Sequence, residues 1–188
     1  MFITFVPNLK NIKMKNLRNT EKSKKRASKF LKENTPFKRK VETYTFDFNF
    51  PTEEVFKQFC PSREEDWIEG WTADLIYTST GYVESDCIFT TPASNILGPG
   101  LWIFTDLIPN QKVEVIRIIE NSVVVHFRIE LEDRGNNTCT GTWNLKFTAI
   151  NEMGNEMVKS LPESNPMLMK IIEGLEYFLE NGKVLKLS

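Results

Sequence analysis

At 188 residues the chain is long enough for one folded domain built around one core. No apolar run approaches the ~18 residues that a transmembrane helix needs, and the opening MFITFVP is too short, with no preceding cation, for a secretion signal, so a cytoplasmic location is expected. Cys60, Cys87 and Cys139 lie far apart, without CxxC spacing or a nearby histidine; this excludes a disulfide framework and a zinc site, and they read as reduced, buried thiols.

The near-neutral net charge hides a boundary. Residues 1–40 carry thirteen Lys/Arg against Glu21 and Glu33, whereas the other 148 carry eleven against twenty-three acids. The basic arm has few apolar residues at helical spacing, so it cannot bury enough surface to offset its ordering entropy and reads as a disordered leader. Its cations between residues 10 and 40 suit contact with an anionic surface, where each can contribute ~1 kcal/mol. The folded domain is expected over residues 41–188.

Glu42–Phe50 alternates Tyr44, Phe46, Phe48 and Phe50 with polar residues, the period of a half-buried strand. Pro51-Thr52-Glu53-Glu54 predicts a short helix capped by Thr52 and faced by Val55, Phe56 and Phe59. Ser62-x-x-Glu65 fits a capping box and predicts a second short helix that packs Trp67 and Ile68 before Gly70 breaks it. Trp71–Thr80 and Tyr82–Thr91 read as a hairpin turning at Ser79-Thr80-Gly81, with Ala73, Leu75 and Tyr77 on one face and Cys87 and Phe89 on another.

Pro92–Gly100 reads as a loop, and Leu101–Leu107, Lys112–Ile119, Ser122–Glu132 and Thr138–Ile150 as strands. The last two alternate most cleanly: Val123, Val125, Phe127, Ile129 and Leu131 on one, Cys139, Gly141, Trp143, Leu145 and Phe147 on the other. A polar segment at 151–155 is followed by a helix that opens at Asn165-Pro166. Leu168, Ile171, Ile172, Leu175, Phe178 and Leu179 form its apolar face, and Asn181-Gly182 its stop, with one further turn open to Lys183–Leu187.

A strand, two short helices, about six to seven antiparallel strands in all and a long final helix make an α+β arrangement in which the sheet wraps that helix. The order, with CPSREEDWIEGW, LIYTSTGY, TDLIPNQKVEVIRI and LEYFLENGKVL, resembles the SRPBCC superfamily, the START-like or helix-grip domains that include polyketide cyclases and lipid-transfer proteins. The resemblance spans about residues 41–187. It implies a cavity between sheet and helix that binds a lipid-like, aromatic or isoprenoid molecule; a cyclase or dehydratase activity and an interaction module with a collapsed cavity are the alternatives. No catalytic motif of an individual family is present, so an enzyme activity does not carry across with the fold.

The residues themselves offer little chemistry. His126, the only histidine, shares its face with Arg128 and Glu130 and reads as a surface group, which removes the usual acid–base pairs. No Gly-rich phosphate loop occurs, so no cofactor is expected; dispersed thiols and one histidine make no metal set; and an acidic folded part argues against nucleic acid. Trp71, Tyr77, Phe89, Trp102, Phe104, Phe127, Trp143 and Phe178 are the inward aromatics and the candidate ligand contacts, Tyr77 and Trp143 each adding one hydrogen-bonding group. Arg117 shares parity with Val113 and Val115 and could meet an anionic head group. Glu84, with Tyr77 and Arg117, is the candidate for proton transfer if the domain is an enzyme; Arg63, Glu65, Glu69 and Asp106 read more simply as cap and surface groups.

Overall fold

The computed structural model describes residues 25, 26, 29 and 37–186. The chain divides into two units, Met1–Pro36 and Phe37–Ser188. In the first, Lys25, Arg26 and Lys29 are helical and exposed; the leader otherwise falls outside the described residues, as does its expected contact with an anionic surface. In the second, strand β1 (Arg39–Phe48) already includes Arg39 and Lys40, counted above with the basic arm. Lys40 is drawn in because its ammonium meets the buried Glu42 carboxylate at 2.5 Å and the Pro162 carbonyl.

Two short helices follow. Helix α1 (Thr52–Phe56) runs into a single 3-10 turn, Lys57–Phe59, and α2 spans Pro61–Glu64. Both caps differ from the sequence expectation. Pro51, in an extended conformation, holds the α1 cap position, so Thr52 is the first helical residue. Cys60 holds the α2 cap position and Pro61 occupies the first turn, where a missing N–H costs nothing; Ser62 is therefore inside the helix and cannot form a capping box with Glu65.

The strands β2 (Asp74–Tyr77), β3 (Ile88–Thr91), β4 (Gly100–Ile108), β5 (Lys112–Ile119), β6 (Val123–Gly135) and β7 (Thr138–Ala149) join β1 in one antiparallel sheet, ordered β1-β7-β6-β5-β4-β3-β2. The β5–β6 and β6–β7 hairpins turn on Glu120-Asn121 and Asn136-Asn137, all four at positive φ, the conformation that matches the right-handed twist of the flanking strands. The β2–β3 hairpin is shorter than expected: each strand has four residues, and 78–87 form a loop.

The sheet's two faces follow the alternation. Val113, Val115, Val125, Trp143 and Leu145 are buried on the inner face. Outside, Glu114 sits across from Arg128 and 3.6 Å from both Arg128 Nε and His126 Nε2, and Lys112 pairs with Asp106 at 2.5 Å, cross-strand charges of opposite sign. Helix α3 (Glu152–Ser160) replaces the expected polar linker. Its Asn151 cap accepts from the Gly154 N–H at 2.8 Å, and Gly154 has to be glycine because an added Cβ would stand 2.0 Å from the Ser122 carbonyl oxygen.

Helix α4 (Pro166–Asn181) is the long closing element, with the Asn165 side chain accepting from the Leu168 N–H at 3.1 Å and Gly182 ending it in the left-handed conformation. Of the extra turn open to Lys183–Leu187, residues 183–186 are not helical, and Leu187 lies outside the described residues. Leu168, Ile172 and Leu175 are buried. Tyr44 anchors the helix start: its hydroxyl accepts from the Asn165 N–H at 2.7 Å and donates to Glu42 at 3.0 Å. Among the described residues no helix is long and apolar enough to cross a membrane.

Candidate functional site

Between the inner face of the sheet and α4 lies a cavity of about 100 Å³. Phe89 of β3, Trp102 and Phe104 of β4, Phe127 of β6 and Trp143 of β7 wall it on the sheet side, because alternation turns each of them inward. Leu168, Ile171, Ile172 and Leu175 wall it from α4, and Phe59, Trp67, Ile68 and Trp71 from the chain that leaves β1. The rings support one another: Trp102 stacks on Phe89 and approaches Phe127, both at 5.5 Å between centroids, and Phe59 meets Trp143 edge-on at 5.8 Å.

Trp143 fits this wall because Gly141 precedes it on the same face: a Cβ there would lie 2.3 Å from the indole. Three of the four tryptophans have their N–H groups committed, Trp67 to the Gln58 carbonyl at 3.1 Å, Trp71 to the Pro61 carbonyl at 2.9 Å and Trp102 to the Thr91 hydroxyl at 3.1 Å. Trp143 donates to no described residue.

Among the described residues, Glu64 is the one charged side chain on the cavity wall. It ends α2, one turn before Trp67 and Ile68, and the Ile68 N–H donates to its carbonyl at 2.8 Å; spacing of three and four residues puts all three side chains on one face. The residue is half-buried, but no described donor or cation reaches its carboxyl, and desolvation alone raises its pKa from 4.5 to about 8. The sequence reading passed over it in favour of Glu65. The signal was present in the spacing: Glu64 stands three residues before Trp67 and so shares its face in a helix.

Three residues named from sequence lie away from the cavity. Tyr77, on edge strand β2, is 54% exposed, as are its neighbours Leu75 and Ile76 to a similar degree, because so short an outermost strand has no layer over either face. Glu84 sits in the 78–87 loop. Its carboxylate accepts from the Ser79 N–H, the Ser79 hydroxyl at 3.0 Å and the Thr78 hydroxyl at 2.9 Å, which hold its pKa down at about 2, unsuited to proton transfer near neutrality. Phe178 packs against the core without lining the cavity.

Arg117 is the fourth. It has the inward parity read from its strand and is buried, yet its guanidinium turns to the loop before β4, donating to the Leu97 (2.5 Å), Pro99 (3.2 Å) and Gly98 (3.3 Å) carbonyls. It also lies 4.7 Å from the centre of the Trp102 ring. Burial lowers its pKa to about 10. A charge so enclosed by carbonyls and an aromatic face holds a loop in place; it does not present itself to a head group. Among the described residues no set of His, Cys, Asp or Glu could hold a metal ion, and the three thiols are free and buried.

An antiparallel sheet curved around a C-terminal helix, with short helices after the first strand, is the helix-grip fold of START-like and Bet v 1-like proteins. Among solved structures, a norcoclaurine synthase from Thalictrum flavum, a point mutant with a transition-state analogue, matches at a TM-score of 0.58 and 11% identity over 78% of this chain and 97% of its own. Mll3558 from Rhizobium loti matches at 0.53 and 13% over 74% and 96%, and Ara h 8.0201 at 0.52 and 10% over 76% and 99%. No protein-family model matches the chain, and no curated protein is found similar to it.

Proposed function

We propose that the protein binds a hydrophobic small molecule in the cavity between sheet and α4, with Trp71, Phe89, Trp102, Phe104, Phe127 and Trp143 as its aromatic walls. The observation that carries this is a space of about 100 Å³ left open by side chains that are already large. An empty apolar cavity leaves its lining without dispersion partners, at roughly 24 cal/mol per Å³, so a guest filling this one recovers about 2 kcal/mol. The volume is smaller than the about 150 Å³ of an apolar cavity that takes up benzene, so a guest of no more than one small ring is expected. A norcoclaurine synthase of this fold has been captured with dopamine and hydroxybenzaldehyde, each of one ring.

Of the guests implied by the fold resemblance, small aromatic molecules therefore suit the site better than long-chain lipids or isoprenoids. A cyclase or dehydratase reading that rests on Glu84, Tyr77 or Arg117 has no support, because none of the three lines the space. Titration with toluene, followed by the methyl resonances of Leu168, Ile172 and Leu175, tests the proposal. Saturable shifts at those methyls are expected; shifts that never saturate, or none, would end it.

A further inference from the structure

Two residues of the cavity wall, Trp143 and Glu64, carry a polar group that no described residue engages. One is the Trp143 indole N–H, which donates to no described residue while Trp67, Trp71 and Trp102 are all committed. The other is the Glu64 carboxyl. No described residue pairs with it, and desolvation by its apolar surroundings raises its pKa to about 8, so it holds its proton near pH 7. A neutral carboxyl offers one O–H donor and one carbonyl acceptor. Left unpaired beside a dry wall, that donor is a penalty; paired with a guest oxygen, it is the feature that sets which way round the guest lies.

We propose that Glu64 is the ligand-orienting residue of this cavity, donating its carboxyl proton in a hydrogen bond to the oxygen of an uncharged guest, a small cyclic ketone, alcohol or phenol. The inference rests on the cavity being a binding site. Charged guests fit the wall poorly. A carboxylate would find no cation there, since the buried Arg117 is committed to the Leu97–Pro99 carbonyls and is not on the wall. An ammonium would need Glu64 ionised, and an ion pair formed in this apolar setting has to offset the desolvation of both charges.

An isosteric probe series separates these cases: methylcyclohexane, cyclohexanone, cyclohexylamine and cyclohexanecarboxylate, titrated by calorimetry at pH 7 into the full chain and its Glu64→Gln and Glu64→Leu variants. Glu64→Leu is expected to weaken cyclohexanone at least tenfold and to leave methylcyclohexane as tight or tighter. Glu64→Gln, which keeps an N–H donor, is expected to hold cyclohexanone within about threefold of the parent. Equal changes for ketone and hydrocarbon in Glu64→Leu, or an amine or carboxylate bound more tightly than the ketone, would overturn the assignment to Glu64 while leaving the cavity proposal in place. No binding of methylcyclohexane or cyclohexanone to any variant would defeat both.

Discussion

Glu64 and Glu84 stand twenty positions apart in the same stretch of chain, and the structure puts them in opposite electrostatic worlds. Glu84 is wrapped by one amide and two hydroxyls of its own loop, so its charge is stabilised and its pKa falls to about 2. Glu64 faces rings and aliphatic side chains with no described donor in reach, so its charge is opposed and its pKa rises to about 8. The difference teaches where this molecule keeps function apart from structure. A carboxylate satisfied by neighbours in sequence shapes a loop, whereas a carboxyl left unsatisfied by neighbours in space is available to something else.

The comparison can be broken most forcefully at the cavity wall. Trp143→Ala is expected to cost about 3–5 kcal/mol in a denaturant titration, whereas Tyr77→Ala on the open edge strand should change stability by less than about 0.5 kcal/mol. Equal losses would mean that the two regions do not differ in packing.

Glu64 gives the next largest effect, and its sign follows from its raised pKa. The folded chain holds the proton more tightly than the unfolded chain, so stability is full below pH ~4.3 and is lost as pH rises through about 8. Glu64→Leu should abolish that slope, leaving the variant more stable than the parent at pH 8.5; a parent with flat stability from pH 5 to 8.5 would show that Glu64 is solvated after all.

Arg117→Met removes a donor from the Leu97, Gly98 and Pro99 carbonyls and is expected to cost about 1–3 kcal/mol, measured by thermal unfolding. Binding of methylcyclohexane should survive the change, since Arg117 is not on the wall. The smallest effect belongs to Glu84→Ala: faster amide exchange at Ser79 with little change in global stability. In the parent the Glu84 contribution is present above the ordinary glutamate range and fades as pH falls through about 2.

Much of the fold was legible because it is written in short-range periodicity. The strict alternation of Val123–Leu131 and Cys139–Phe147 and the three-and-four spacing of Leu168–Leu175 set the facing of seven of the eighteen wall residues, and six of the nine residues first named as contacts line the cavity. Helix α3 was not legible, since its Gly154 lowers helix propensity and is required only by the close approach of the Ser122 carbonyl. The misplaced start of α2 had a local cause: Ser62 mimics a cap, but Pro61 takes the first turn.

Composition and spacing alone determined the α+β class, the alternation of apolar and polar faces and the cap and stop of the final helix, because each depends on contacts within a few residues along the chain. Which carboxyl meets the cavity, where the Arg117 guanidinium turns and that Tyr77 faces water were decided by the tertiary structure. The pKa of an acid and the exposure of a ring depend on what folds against them from tens of residues away, and no local pattern records that.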